Sequence, residues 1–244
     1  MKAKVLITGG SEGIGLGLAT RFLAADGEVL VTGRDPAKLA LTPFKTIVSD
    51  AGDPIQREAL ANYIRETMPD INVVINNAGI QRRIGLAVDK APWPERQEEI
   101  DVLLAGPIHL NHLLIPLMLA SGKPGLIVNV TSGGAYIPQV FAPVYSACKA
   151  ALHSYTMTLR HALAGTLIRV VELIPPAVQT GLTKDMPHGA DIDAFCDAVF
   201  ARLMDESRTD VGFGPTEGLT PELSGKPVST FFEAGAARFP VQTY

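Results

Sequence analysis

Short apolar runs alternate with longer segments of helical periodicity along most of this chain, and this alternation constrains the fold more than any other feature. Runs such as Lys4–Thr8 and Leu126–Val130 have the length and composition of buried strands, whereas Pro54–Met68 repeats apolar residues at helical spacing. Strands that alternate with helices form βαβ units, which place parallel strands side by side and helices on the sheet faces. The pattern predicts an α/β fold with one doubly wound parallel sheet of the Rossmann type in a single domain, residues 1–244.

The boundaries of these elements follow from the same pattern. The predicted strands are Lys4–Thr8, Glu28–Thr32, Thr46–Val48, Asn72–Ile75, Leu126–Val130 and Ile168–Leu173. The predicted helices are Ile14–Ala25, Pro54–Met68, Pro94–Leu119, Ala142–Ala164 and Asp191–Asp205. Beyond Gly181 the periodicity weakens. We expect residues 181–205 to form a lid over a substrate, with Leu182 and Met186 closing on it, and residues 214–244 to form a C-terminal tail.

Charge and hydropathy argue against several classes of protein. The net charge is −4 and no basic stripe is present, so nucleic-acid binding is not expected. No run approaches the ~20 apolar residues of a membrane span, and the apolar stretch at the N-terminus is too short for a signal peptide. The two cysteines, Cys148 and Cys196, have neither metal nor disulfide spacing, which favours a reducing cytoplasmic location. His109 and His112 lack further ligands at suitable spacing, so we expect no metal site.

A glycine-rich turn follows the first predicted strand and opens the first helix. The segment is Thr8-Gly9-Gly10-Ser11-Glu12-Gly13-Ile14-Gly15. Glycines at such a junction let the backbone turn tightly and approach a pyrophosphate, whose charge is met by the helix N-terminus. Ordinary tight turns also use glycine, so the position in a βαβ unit carries the argument. The candidate cofactor contacts are Gly9, Ser11, Gly13, Ile14 and Gly15.

The spacing Gly-x-x-x-Gly-x-Gly resembles that of the short-chain dehydrogenase/reductase family, and a second motif agrees with it. Asn76-Asn77-Ala78-Gly79 follows the fourth strand and is similar to the family's Asn-Asn-Ala-Gly. Asn and Gly also favour plain turns, so this motif alone leaves a strand-end turn equally open. The resemblance implies that Asn77, Ala78 and Gly79 line the cofactor site.

Tyr145 and Lys149 form the Tyr-x-x-x-Lys pair of the same family. On a helix, positions four residues apart share one face, so the Lys149 ammonium can lie beside the Tyr145 phenol. A free tyrosine has a pKa of ~10, and a neighbouring positive charge favours the phenolate. Tyr145 would then exchange a proton with the substrate oxygen, while Lys149 lowers the tyrosine pKa and binds the ribose hydroxyls.

Ser132 completes the candidate catalytic set. It ends the fifth predicted strand, thirteen positions before Tyr145, which is the family's spacing. A hydroxyl there can bond the substrate carbonyl at the strand ends where ligands of open α/β sheets bind. With the glycine turn, the Asn-Asn-Ala-Gly motif and the Tyr–Lys pair in the family's order, coincidence is a poor explanation.

Further along, the stretch Pro175-Pro176-Ala177-Val178-Gln179-Thr180 resembles the family's Pro-Gly-x-Val-x-Thr, with Pro176 in place of glycine. The resemblance, which covers about Lys2 to Thr180, implies that Pro175, Val178 and Thr180 hold the nicotinamide.

The second strand ends without the acidic residue that NAD-binding proteins commonly use for the ribose 2′-hydroxyl. Gly33 occupies that position and Arg34 follows it, a planar donor suited to a 2′-phosphate. Asp35 is interpreted as a helix cap before Pro36. Glu12 in the phosphate loop argues the other way, because its charge would repel an additional phosphate. On balance Gly33 and Arg34 favour NADP, and NAD stays open as the alternative cofactor. Asp50, after the third strand, resembles the family's adenine contact.

Leu103 departs from the family pattern, because many members have an asparagine there that seats a water of the proton relay. Leucine has no polar side chain, so we expect a modified relay. The residue also keeps open an alternative, a cofactor-binding sensor or scaffold without turnover.

The favoured function is hydride transfer between NAD(P) and a carbonyl or alcohol, with a small ketone or aldehyde as the substrate. We also expect a homodimer or homotetramer formed by Pro94–Leu119 and Ala142–Ala164, because the apolar side of the first segment is wide. That side comprises Leu110, Leu113, Leu114 and Leu117.

Overall fold

One parallel sheet organises the chain. The computed structural model describes residues 2–183, 188–219, 222–223, 226–227 and 230. Its sheet strands are β1 (Lys4–Thr8), β2 (Glu28–Gly33), β3 (Lys45–Val48), β4 (Val73–Asn76), β5 (Gly125–Val130), β6 (Ile168–Ile174) and β7 (Asp210–Gly212). Their order is β3-β2-β1-β4-β5-β6-β7, and every neighbouring pair is parallel. This confirms the predicted doubly wound sheet.

Helices cover both faces of the sheet. They are α1 (Gly13–Ala24), α2 (Pro36–Ala40), α3 (Pro54–Thr67), α4 (Trp93–Ile100), α5 (Gly106–Ala120), α6 (Pro143–Ala162) and α7 (Ile192–Met204). One face has a core formed with α1 and α7, including Phe22 and Phe195. The opposite face has a core formed with α3, α5 and the end of α6, including Ile64 and Leu114. The short antiparallel pair β8 (Glu222–Leu223) and β9 (Lys226–Pro227) lies outside the main sheet.

The predicted helix Pro94–Leu119 is interrupted. A π-helical turn, Asp101–Ala105, joins α4 to α5, and the Gly106 amide bonds the carbonyl of Asp101 five residues back. Pro107 follows immediately and has no amide hydrogen to continue the α-helical ladder. The segment Trp93–Ala120 is long and apolar enough to cross a membrane by length and composition, but half of its apolar 18-residue stretch is buried inside this structure.

Helix α5 exposes fewer apolar residues than the sequence predicted. Leu110 and Leu114 are buried in the core under the sheet, whereas Leu113 and Leu117 are only partly buried. Two of the four leucines assigned to a subunit contact are therefore core residues of the monomer.

The segment expected to be a lid is divided by the structure. Its second half is α7, whose residues Phe195, Cys196 and Val199 are fully buried against α1 and the sheet. Helix α7 therefore packs its buried face on the core, which does not fit a lid. The first half contains a short 3₁₀ turn, Gly181–Thr183, and Met186 lies outside the described residues. A lid role for the segment before α7 stays a prediction.

Candidate active site

The site is a cleft of about 500 Å³ at the carboxyl ends of the central strands. β1 lies between β2 and β4, so the chain leaves the sheet in opposite directions on either side of β1. Such a switch point opens a crevice in α/β sheets. The glycine turn lines one end of this cleft, and Ser132, Tyr145 and Lys149 line the other.

The glycine turn brings the backbone close to the cleft. Gly9 and Gly13 have φ angles of +64° and +56°, which glycine adopts at little cost. A methyl group at Gly15 would overlap the Gly9 carbonyl oxygen. The turn therefore requires glycines, and Ser11 and Ile14 line the cleft beside it. This cradle fits the pyrophosphate of a dinucleotide.

Asn77 holds this turn in place with its side chain. Asn77 Nδ2 donates to the carbonyl oxygens of Thr8 and Gly9, both at 3.0 Å. The amides of Asn77 and Ala78 in turn donate to Thr8 Oγ1, each at 3.0 Å. The motif predicted to line the site thus also ties the end of β4 to the end of β1, while Asn77, Ala78 and Gly79 face the cleft.

A second polar network, which no sequence motif indicated, lies beneath the motif. Asn76 Nδ2 donates to Asn111 at 2.9 Å and to Asn129 at 2.8 Å, and Asn129 Nδ2 donates to Thr156 Oγ1 at 3.0 Å. All four side chains are buried and join β4, α5, β5 and α6. The buried polar groups are thereby satisfied across the middle of the sheet.

Arg34 lies at the predicted nucleotide end of the cleft but is bound to acids. Its Nη1 atom is 2.6 Å from Glu98 Oε1 and 3.9 Å from Asp50 Oδ2, and its side chain is half exposed. Asp50 Oδ1 also accepts the Gly52 amide at 2.8 Å and shapes the loop after β3. Asp35 caps α2 as predicted, because its Oδ1 accepts the amides of Ala37 and Lys38.

Lys38 is a further cation at this end, and the sequence analysis did not include it. Its Nζ is 2.8 Å from Glu12 Oε2, and this hydrogen bond raises the pKa of Lys38. The acid that the sequence suggested would repel a phosphate is therefore neutralised. Both Lys38 and Glu12 line the cleft with Ser11 and Arg34. The pairing between Lys38 and Glu12 depends on the contact of α2 with the glycine turn in the folded chain, which the sequence alone does not show.

The three candidate catalytic side chains meet at the opposite end. Ser132 follows β5, and Tyr145 and Lys149 stand one turn apart on α6; all three are buried. The Ser132 hydroxyl lies close enough to the Tyr145 phenol to lower the pKa of that phenol. Lys149 Nζ donates to the Val130 carbonyl at 2.6 Å and lies 5.7 Å from the centre of the Tyr145 ring. The strand end and the helix thus bring the three predicted side chains together.

Burial dominates the protonation of this group. It raises the pKa of the Tyr145 phenol, the nearby Glu99 carboxylate raises that pKa further, and the Ser132 hydroxyl lowers it in part. Burial also lowers the pKa of Lys149 to about 8. Desolvation thus favours the neutral form of both side chains.

Comparison with known proteins agrees with this arrangement. Residues 3–191 match the family model for short chain dehydrogenases. The uncharacterized oxidoreductase DltE of Bacillus subtilis is 43% identical over 185 residues, covering 74% of this chain and 73% of DltE. Serine 3-dehydrogenase of Agrobacterium fabrum is 30% identical over 194 residues, covering 75% of each chain. The chain belongs to the short-chain dehydrogenase family. This is a family of oxidoreductases that bind a nicotinamide cofactor.

Solved structures agree on the fold of this short-chain dehydrogenase. A short-chain dehydrogenase from Burkholderia cenocepacia, in complex with NADP, superposes with a TM-score of 0.78 at 24% identity, covering 98% of both chains.

Leu103 differs from the family's asparagine, and the structure places it beside Tyr145. It lies in the π-helical turn, is fully buried, and packs in one apolar cluster with Tyr145, Ala142 and Cys148. Burial raises the pKa of the Cys148 thiol to about 11, so this cysteine is an unreactive packing residue at neutral pH. The polar group expected by family resemblance is replaced by hydrocarbon behind the phenol.

The predicted nicotinamide contacts also line the cleft, and one of them lies next to the Ser132 segment. Pro175, Val178 and Thr180 line it, and the Pro175 carbonyl accepts the Gly133 amide at 3.1 Å. Thr183 Oγ1 accepts the Thr180 amide at 3.0 Å and donates to the Val178 carbonyl, so this wall is fixed by its own backbone.

Loop residues that no sequence motif indicated also line the cleft, among them Ile80, Gln81, Gln139 and Phe141. Leu182, which the sequence predicted to close on the substrate, lines the cleft as well. Gln81 Nε2 donates to Gln139 Oε1 at 3.3 Å, which links the loop after β4 to the loop before α6.

Proposed function

We propose that this short-chain dehydrogenase is an NADP-dependent carbonyl reductase that transfers hydride between the nicotinamide and a ketone or aldehyde. The observation that carries the proposal is the shared cleft: Ser132, Tyr145 and Lys149 line it together, and its far end is a glycine cradle. A bound NADPH would supply the hydride.

Tyr145 and Ser132 act on the substrate oxygen. Both hydroxyls face the cleft, and a carbonyl oxygen placed between them accepts a hydrogen bond from each. Tyr145 then donates its proton to that oxygen as the alkoxide develops. The raised pKa of the buried phenol favours the protonated form that reduction requires.

Lys149 has two roles beside the phenol: it binds the ribose of the cofactor and it exchanges protons. One of its N–H bonds is directed at the Val130 carbonyl, which leaves the others for the ribose hydroxyls of the cofactor. With a pKa of about 8, Lys149 exchanges protons readily near neutral pH.

The preference for NADP rests on two cations. Arg34 and Lys38 line the nucleotide end, each paired with a carboxylate that a 2′-phosphate can displace. The structural neighbour from Burkholderia cenocepacia is in complex with NADP. We expect Arg34→Ala and Lys38→Ala each to lower the NADPH-over-NADH preference by about tenfold, as for loss of one charged hydrogen bond. Lys45→Ala, which removes an exposed lysine paired with Glu28 outside the cleft, is the matched control.

The activity itself is tested by NADPH oxidation with a panel of ketones and aldehydes. Tyr145→Phe should cut turnover by ~10²–10⁴ while NADPH affinity is retained, as for loss of a positioned acid. Tyr63→Phe, an exposed tyrosine on α3, should leave the rate unchanged. Tight NADPH binding without turnover across the panel would overturn the proposal in favour of a cofactor-binding sensor.

A further inference from the structure

A buried carboxylate lies behind the Ser132 segment. Glu172 on β6 is fully buried, and both of its oxygens have partners. Thr131 Oγ1 donates to Glu172 Oε1 at 2.6 Å, and Tyr136 OH donates to Glu172 Oε2 at 3.1 Å. His153 Nδ1 is 2.7 Å from the same Oε2 atom.

These partners bracket the residue that faces the substrate. Thr131 immediately precedes Ser132, and Tyr136 ends the 3₁₀ turn Gly133–Ala135 that follows it. One carboxylate is therefore bound to both ends of the segment 131–136. The Ser132 hydroxyl lies inside this span and accepts the Gly134 amide at 3.0 Å.

The third partner belongs to the helix of the other two candidate catalytic residues. His153 lies on α6 one turn beyond Lys149 and two turns beyond Tyr145. Its ring packs against Tyr136 with centroids 4.8 Å apart, and its Nδ1 is 3.1 Å from Tyr136 OH. The cluster Thr131–Tyr136–His153–Glu172 thus joins the Ser132 segment to α6.

Glu172, Tyr136 and His153 do not line the cleft, so they touch neither cofactor nor substrate there. We propose that Glu172 is a positioning residue: together with Tyr136 and His153 it fixes the Ser132 hydroxyl against the Tyr145 phenol on α6. This inference rests on the proposed carbonyl reduction. It gives Glu172 on β6 a role in positioning the Ser132 segment, which none of the sequence motifs indicated.

A buried carboxylate is costly unless hydrogen bonds and charges compensate it. Here the hydroxyls of Thr131 and Tyr136 and the His153 ring supply the hydrogen bonds, and the Lys149 charge acts on Glu172 at longer range. Burial and the Glu172 carboxylate together raise the pKa of Tyr136, which keeps its hydroxyl a donor. The arrangement rigidifies a segment that otherwise ends in a glycine-rich turn.

The variants are chosen to loosen the segment without emptying the core. Glu172→Gln keeps the size but has one acceptor oxygen, so one of the two ends of the segment faces an amide group that cannot accept. Tyr136→Phe removes only the hydroxyl of one end. We expect Glu172→Gln to lower kcat about ten- to hundredfold, the scale of a small displacement of a reacting group, with NADPH affinity unchanged.

The matched control removes side-chain hydrogen bonds just before the start of β6, at the end of that strand remote from the cleft. Thr166→Val deletes the bonds that the Thr166 hydroxyl makes with the Leu163 carbonyl and the Ile168 amide. It should lower the melting temperature but not kcat. In a Ser132→Ala background the effect of Glu172→Gln on kcat should shrink to within about twofold, because the group it positions is gone. Additive losses would overturn the inference.

Hydrogen exchange supplies a readout that does not require turnover. In Glu172→Gln and Tyr136→Phe, amides of residues 131–137 should exchange faster, while residues 125–130 of β5 keep their protection. Equal protection of 131–137 in wild type and variants, or faster exchange throughout the chain, would overturn the inference. If Glu172→Gln does not fold, Tyr136→Phe decides it. If wild type reduces no substrate, the proposed function fails, and the exchange result still decides whether Glu172 holds the Ser132 segment.

Discussion

Lys149 is buried in a site that penalises its charge. Its pKa falls to about 8 from the ordinary 10.5. Below pH 8 the lysine is charged in both the folded and the unfolded chain, so the folded protein carries the full cost of burying the charge. Between pH 8 and pH 10.5 the lysine is protonated mainly in the unfolded chain, so the contribution of Lys149 to the free energy of unfolding rises with pH.

Lys149→Met tests this cost. The stability of the variant relative to wild type should fall by about 2 kcal/mol between pH 7 and about pH 9.5, because the wild type gains over this range. Urea denaturation across the range measures it. Lys45→Met, which removes an exposed lysine, should show no such fall. A difference independent of pH would contradict the burial argument.

Leu103 fills the space beside Tyr145 with hydrocarbon. Restoring the family's asparagine buries an amide among Tyr145, Ala142 and Cys148, and should lower the free energy of unfolding by about 1–3 kcal/mol. Leu103→Met conserves volume and should cost less than about 1.5 kcal/mol. Thermal denaturation and kcat are measured together. A large rise in kcat for Leu103→Asn without loss of stability would mean that the site retains the asparagine relay.

Individual site residues differ in how far the sequence predicts them. Ser132, Tyr145 and Lys149 stand at fixed offsets from one strand end or helix turn, so spacing alone brings them together. Lys38, Gln139 and Glu172 come from elements whose approach depends on the folded sheet. Their position near the site depends on tertiary contacts, which short-range sequence patterns do not encode.

At the scale of elements, α1 and α7 pack unusually closely. A methyl group at Gly17 would overlap Cys196 Sγ, and Arg21 on α1 binds Asp193 and Asp197 on α7. Gly17→Ala should therefore destabilise the fold by about 1–3 kcal/mol, as for an overpacked core.

The compensating variant gives this prediction its control. Cys196→Ala removes the sulfur atom that the new methyl group meets. Gly17→Ala with Cys196→Ala should be less destabilised than the sum of the single variants, a coupling that thermal denaturation measures. Strict additivity would show that the helices separate instead of clashing.

Element boundaries were predictable where hydrophobic period and end signals agree. The six predicted strands are confirmed to within about two residues, and Asp35 and Asp53 cap their helices ahead of a proline. The three-residue β7 was missed because so short a strand has no period of its own. The division between α4 and α5 was missed because the apolar pattern continues through the π-helical turn.

At the scale of the whole molecule, the homodimer or homotetramer remains a prediction. With Leu110 and Leu114 committed to the core, Leu113 and Leu117 remain partly exposed on α5 for such a contact. We expect sedimentation velocity at micromolar concentration to show a dimer or tetramer. Leu113→Glu with Leu117→Glu should shift it towards monomer, because buried like charges oppose association. A wild type that is only monomeric would refute the prediction.

The contact between α1 and α7 also bears on the order in which the chain becomes folded during synthesis. The ion pair between Arg21 and Asp197 joins residues 176 positions apart, and Phe22 meets Phe200 edge to face with ring centres 5.0 Å apart. The apolar side of the first helix is therefore uncovered until α7, which is synthesised much later, arrives. Distant pairings of this kind slow folding and leave apolar surface open to association. A nascent chain halted before Ile192 should consequently be captured by chaperones that bind exposed apolar segments, and release should follow once α7 has emerged from the ribosome.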